Sequence, residues 1–254
     1  MKKARLIIDE PANGAWNMSV DQALLQTADT SGLVTLRFYR WSKPTLSLGY
    51  FQKHKDRNLH APSLNCDLVR RKTGGGAILH DHELTYSLSV PSANRWSSKN
   101  TDLYQLVHNK IIQVFHEYDV KTQLYSELMK NRNNRSDIGI SPASFMCFNR
   151  RSDGDIILDG HKIVGSAQRR NKTCLLQHGS ILIRKSLCAP AIEGIEDLAG
   201  QKIEMLELAR KLANGMLIAL SCEYDPGTLD EFEKQTAQDI YSIQFNTDRW
   251  NQNR

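Results

Sequence analysis

Three consecutive glycines in the run Arg70-Arg71-Lys72-Thr73-Gly74-Gly75-Gly76-Ala77-Ile78-Leu79-His80 constrain this chain more than any other feature. Inside regular structure each glycine costs about 0.5–1 kcal/mol relative to alanine. A plain hairpin needs at most two of them. Three in a row, preceded by three bases and followed by a histidine, read as bare backbone against which a ligand can lie. The flanking residues read as strands over 68–71 and 77–80. The pattern is not a Walker A loop, since no Lys-Ser or Lys-Thr follows the glycines, and it is not G-x-G-x-x-G.

Hydrophobic spacing sorts the rest of the chain into elements. Strands are expected at 3–8, 34–41, 45–50, 84–90, 155–158, 161–169 and 173–183. Val34, Leu36 and Phe38 alternate with Thr35, Arg37 and Tyr39, which predicts a half-buried strand. Asp159-Gly160 predicts a two-residue hairpin. Helices are expected at 18–28, capped by Asn17 with Leu24, Leu25 and Ala28 inward, and at 103–118, 203–220 and 228–241. Asp225-Pro226-Gly227 separates the last two. The polar stretch 130–142 predicts a mobile loop. Strands fill the middle and helices lie at both ends, the pattern of an α+β fold with a mixed or antiparallel sheet. One catalytic domain over 1–254 is expected, its motif-bearing core at about 34–220 and its helical end at about 203–250.

Composition narrows the class. The chain has 254 residues, 40% hydrophobic and 24% charged, ordinary values for a globular protein. It has no apolar run of membrane-spanning length and no signal-like start, so no membrane association and a cytoplasmic location are expected. Cys66, Cys147, Cys174, Cys188 and Cys222 are odd in number and form no C-x-x-C, which argues against disulfides and structural zinc. His80 and His82 have no third ligand nearby in sequence, so no metal is expected. The net charge is +5, but residues 190–254 hold 12 acids against 6 bases, leaving +11 on residues 1–189. That basic body suits an anionic partner. Nucleic acid is disfavoured by the 7% aromatic content and the absence of an RNA-binding signature.

Two further stretches end in small residues: Gly160-His161-Lys162-Ile163-Val164-Gly165-Ser166-Ala167-Gln168 and Gln177-His178-Gly179-Ser180. With the glycine run they form R-R-x-T-G-G-G-A-x-x-H, G-x-K-x-x-G-S-A-Q and Q-H-G-S. The three together resemble the lipoate–biotin ligase and octanoyltransferase superfamily over about residues 37–183. The resemblance implies a catalytic fold like that of class II aminoacyl-tRNA synthetases. It also implies attachment of a medium-length acyl group to a lysine of a carrier domain, with substrate contacts at Arg71, Gly74, Gly75, Gly76, His80, Gly165, Ser166, Ala167 and His178.

Cys147, in Ser144-Phe145-Met146-Cys147-Phe148 and fifteen residues before Lys162, resembles the cysteine and lysine placement of the octanoyltransferase branch that serves the glycine-cleavage H protein. The implied reaction takes octanoyl from acyl carrier protein to Cys147 and then to a lysine of a lipoyl carrier protein, without cofactor. Two alternatives are an ATP- and Mg-dependent lipoate ligase, and an amidotransferase between carrier domains. The chemistry suits a thiol, because a thiolate is both nucleophile and leaving group. With a free-thiol pKa of about 8.5, a nearby cation raises the thiolate fraction. Lys162 can supply that cation if the hairpin folds back, and a buried, neutral Lys162 could also take the acceptor lysine's proton. Cys174, next to the basic 169–172 stretch, is the rival thiol. Lys53, Lys55, Arg57, Arg150 and Arg151 are candidates for docking acidic carrier proteins.

Overall fold

The computed structural model describes residues 2–91, 93–98, 100–130, 144–171 and 174–254. Eleven strands are described: β1 (Lys2–Ile8), β2 (Val34–Tyr39), β3 (Thr45–Leu48), β4 (Asp67–Arg70), β5 (Ile78–His80), β6 (Glu83–Val90), β7 (Gln123–Leu124), β8 (Ile156–Leu158), β9 (His161–Asn171), β10 (Cys174–Leu182) and β11 (Cys222–Pro226). The helices are α1 (Gly14–Ser31), α2 (Asn100–Glu117), α3 (Tyr125–Lys130), α4 (Ile195–Ala199), α5 (Met205–Ala219), α6 (Glu231–Ile240) and α7 (Asp248–Asn251). From residue 131 onward, the stretch expected to be a mobile loop lies outside the described residues.

The large sheet has the order β11-β1-β2-β6-β10-β9-β8-β7, and β4-β3-β5 form a small one. In the large sheet β1 is parallel to both β2 and β11, and every other pairing is antiparallel. The expected mixed, largely antiparallel sheet with flanking helices is therefore present. Helices α2 and α5 pack on each other and close the main apolar core. α1 and α6 pack together, and residues of both join Ile7, Tyr39 and Trp41 in a second core. A third core joins Leu46, Leu48, Ala77 and Leu79 to Phe145 and Met146. No helix among the described residues is long and apolar enough to cross a membrane.

Three local expectations need correction. The first helix begins at Gly14, because Asn13 is the cap and its side chain accepts the Trp16 N–H. Asn17 lies inside the helix and donates to the carbonyls of Ala12 and Arg40. β2 is buried on both faces, not half-buried. Its Arg37 is fully enclosed, with Nε 2.6 Å from Asp9 and Nη1 2.8 Å from Asp21, so the residue that broke the apolar pattern is inside as part of an ion network. Burial pushes the Asp21 carboxyl up, but His178, Arg37 and Ser87 together bring it below its ordinary range. The supposed separator Asp225-Pro226 belongs to β11, which pairs with β1 at the sheet edge, where proline is tolerated. The Asp159-Gly160 turn is as expected, with φ of 47° and 81°, the conformation a two-residue hairpin favours.

The C-terminal end straps the strand that leads into the glycine run. Asn251 Oδ1 accepts the Arg70 backbone N–H at 2.9 Å, Arg70 Nε donates to the Asn251 carbonyl at 3.2 Å, and Trp250 Nε1 donates to the Arg70 carbonyl at 2.9 Å.

Arg37→Met leaves Asp21 as a buried carboxylate without its cation. Urea unfolding should show a loss of about 3–5 kcal/mol, the usual cost of removing one partner of a buried pair.

Candidate active site

Arg71 organises the glycine run. Its guanidinium is buried, with Nη1 donating to the Ser47 carbonyl (2.8 Å) and hydroxyl (2.6 Å), and Nη2 to the carbonyls of Gly74 (3.2 Å) and Gly76 (2.9 Å). Burial pulls its pKa below the ordinary arginine value. Gly75 has φ +95°, a region that side chains rarely adopt. Gly76 meets a different demand, since a Cβ there would lie 2.9 Å from the Cys147 nitrogen and 3.0 Å from its Cα. The chain after the run also pairs with the cysteine segment. Ala77 N–H donates to Phe145 O at 2.9 Å and Cys147 N–H to Ala77 O at 2.7 Å. Glycine run and cysteine are thus one unit, a pairing that the sequence reading did not foresee.

The β8–β9 hairpin returns Lys162 to Cys147. Nζ lies 3.7 Å from Sγ and 2.9 Å from Asp155 Oδ2. Lys162 is 5% exposed. Asp155 was absent from the sequence-derived candidates; its only signal was that a lysine expected to be buried requires an acid nearby. Burial pushes the Asp155 carboxyl up, opposed chiefly by Lys162 and also by the Ser152 N–H at 2.7 Å. Gly165 makes room for the cation, because a Cβ there would sit 2.5 Å from Lys162 Cε and 2.8 Å from Nζ.

Cys147 opens into a cleft of about 480 Å³, mouth included, together with Arg71, Gly74, Gly75, His80, Gly165, Ser166, Ala167 and His178. Met18, Tyr39, Ile78 and Thr85 complete much of the wall. Of the expected substrate contacts only Gly76 is not in this lining; it serves the backbone of Cys147 instead. His80 Nδ1–H donates to Glu83 at 2.7 Å, and its Nε2 lies 2.6 Å from the Ser47 hydroxyl that Arg71 also holds. Burial lowers the His80 pKa, with Glu83 opposing. His178 Nε2 lies 2.9 Å from Thr73 Oγ1, and its Nδ1 lies 3.6 Å from Asp21.

Below the cleft a polar chain reaches α2. His108 Nδ1 donates to the Gly154 carbonyl at 2.6 Å, and its Nε2 faces Ser166 Oγ at 2.6 Å. A carbonyl can only accept, so Nδ1 carries the hydrogen and Nε2 accepts from Ser166. Tyr86 OH lies 2.7 Å from Ser166 Oγ, and Gln177 donates to Tyr86 at 2.9 Å. Burial pushes the His108 pKa down to about 3. In the sequence this histidine was one polar position on an otherwise apolar helix face.

Other expectations resolve here. Cys174 is buried against Leu25, Ala28 and Leu176. Arg150 and Arg151 are braces: Arg150 Nε donates to Ser144 O, and Arg151 to the carbonyls of Phe148, Arg150 and Gly160. Their donors hold the cysteine segment in place, which sets them apart from Lys53 and Lys55, both exposed. Arg57 donates to Leu64 O.

Residues 13–214 match the lipoyl protein ligase A/B catalytic domain. The whole chain is 32% identical to octanoyltransferase LipM of Brevibacillus brevis, covering 99% of each, and 31% identical to that of Clostridioides difficile, covering 100% of each. The chain belongs to the LipM octanoyltransferase family. It is accordingly an acyltransferase of the biotin/lipoate ligase superfamily. The fold agrees. A lipoate-protein ligase A bound with ATP superposes with a TM-score of 0.75 at 22% identity, covering 98% of each chain. A bi-partite lipoate protein ligase from Thermoplasma acidophilum gives 0.75 at 19%, covering 99% of this chain and 97% of that one.

Gly165→Ala tests the space left for the ammonium. The clash falls on the end of a flexible side chain but crowds an ammonium paired with buried Asp155, so urea unfolding should show a loss of about 0.5–3 kcal/mol with the fold kept. Displacing Nζ from Sγ should nonetheless slow iodoacetamide alkylation of Cys147 near neutral pH by about tenfold. A second expectation concerns acid. His108 has a pKa of about 3 in the fold against about 6.5 unfolded. Between those values the unfolded chain binds more protons, so stability falls as pH drops through this window. His108→Asn should make that fall shallower in urea titrations taken at a series of pH values.

Proposed function

We propose that octanoyl passes through a thioester on Cys147 to a lysine of a lipoyl carrier protein, in lipoate biosynthesis. The observation that carries this reading is the buried Lys162 ammonium 3.7 Å from Cys147 Sγ, at a cleft where glycines, Met18 and Ile78 alternate with the polar Arg71, His80, Ser166 and His178. Cys147 thiolate attacks the thioester carbonyl of octanoyl-acyl carrier protein, the old C–S bond breaks, and the carrier leaves as its thiolate. The neutral acceptor amine then attacks the Cys147 thioester, an amide forms as the C–S bond breaks, and the departing Cys147 sulfur takes up the proton the amine loses. Lys162 favours the thiolate in both half-reactions by its charge. Asp155 Oδ2 holds the Lys162 ammonium at 2.9 Å, and that ion pair supports a role for Lys162 as a cation. Arg71, Gly74, Gly75, His80, Gly165, Ser166, Ala167 and His178 border the acyl group. No nucleotide or metal enters either step.

The acceptor reading rests on the LipM relatives, and among the structural neighbours on the T. acidophilum ligase, which was described with its E2 lipoyl domain. The glycine-cleavage H protein is the acceptor we favour. Lys53 and Lys55 remain as exposed cations for an acidic carrier.

The test is incubation with octanoyl-acyl carrier protein, without ATP, followed by intact-mass measurement. The wild type should gain one octanoyl group and Cys147→Ala none, and the loaded enzyme should then acylate H protein. A mass gain seen only with free octanoate and ATP would overturn the reading in favour of ligation.

A further inference from the structure

The polar chain beneath the cleft has the outline of a second catalytic dyad. Ser166 borders the cleft, His108 Nε2 is 2.6 Å from its hydroxyl, and the Gly154 carbonyl orients the ring from the other side. Nucleophile, base and orienting group are all present. The complete burial of the ring decides against that use. A base held down at about 3 does not take a hydroxyl proton near neutral pH. What the ring does hold is the turn on its far side.

Gly154 immediately precedes Asp155, and the turn has no room to drift. A Cβ on Gly154 would lie 2.4 Å from the Tyr104 ring, one helical turn before His108 on α2. Asp155 N–H closes the turn on the Ser152 carbonyl at 2.9 Å, and Asp155 Oδ2 holds both Ser152 N–H and Lys162 Nζ. Lys162 in turn faces Cys147. We propose that His108 is a positioning residue: through the Gly154 carbonyl it fixes the turn that carries Asp155, and so the place of Lys162 beside Cys147. The inference rests on the Cys147–Lys162 reading for its bearing on the reaction, but the clamp itself is a separate, measurable claim.

Two substitutions divide the ring's two contacts. His108→Asn places an amide donor where Nδ1 was, keeping the bond to Gly154 and losing the one to Ser166. His108→Gln reaches the Nε2 position, keeping Ser166 and losing Gly154. Two readouts follow each variant: amide hydrogen exchange across residues 152–156, and iodoacetamide alkylation of Cys147 near neutral pH, with Lys162→Ala as reference. His108→Gln should raise exchange in the turn by about tenfold or more and bring alkylation down to the Lys162→Ala rate. His108→Asn should restore both to near wild type, a rescue that a ring serving only to fill space would not show. The proposal is overturned if His108→Gln leaves exchange in the turn unchanged, or if His108→Asn is disturbed as much as His108→Gln. If exchange behaves as expected while Lys162→Ala leaves alkylation untouched, the clamp stands and the electrostatic role of Lys162 is what fails.

Discussion

An ammonium almost sealed from water is the constraint from which the rest of the site follows. Removing an isolated charge from water costs several kcal/mol even after the protein relaxes. Lys162 therefore requires Asp155, which is itself buried and needs the Ser152 N–H to satisfy it. That acid sits on a turn pressed against α2, and the strand beside the lysine must lack a side chain at Gly165. Each requirement recruits the next, and together they leave the Lys162 cation facing the Cys147 thiol.

A second buried cation shapes the opposite wall. Arg71 is surrounded by carbonyl and hydroxyl dipoles, with no carboxylate among its hydrogen-bond acceptors in the described residues. A guanidinium suits this role, because its fixed fork of donors can tie several backbone oxygens at once. The three glycines that follow are therefore not interchangeable. Gly75 is needed for its backbone conformation and Gly76 for the close passage of the Cys147 backbone, while a Cβ on Gly74 would meet only the Phe51 ring at ordinary contact distance.

The sequence made the local pieces visible and hid the pairings between distant ones. Glycine runs, the Asp159-Gly160 turn and the helical spacing of Leu103 through Phe115 are short-range signals, and each marked its element. Cys147 and Lys162 were joined by the family resemblance, with a readable hairpin between them to bring the chain back. Asp155, His108 and Tyr86 escaped notice because a polar residue destined for burial looks the same in sequence as one facing water. Arg37 misled for the same reason. The bracing contacts of Arg150 and Arg151 were hidden because the carbonyls that hold them belong to backbone, which has no letter of its own in a sequence. β11 was missed because its pairing partner, β1, lies at the other end of the chain.

The C-terminal strap has a consequence for the order in which the molecule can be completed. Arg70 and Asn251 are 181 positions apart, and the bonds between them secure the strand that delivers Arg71 to the glycine run. At ribosomal speeds of about 5–20 residues per second, that interval is roughly 10–40 s. For all of it the nascent glycine run lacks its anchor, although the hairpin that carries Lys162 has already been made. The strand that leads into the glycine run is therefore secured only once residue 251 has been added, well after the hairpin that carries Lys162.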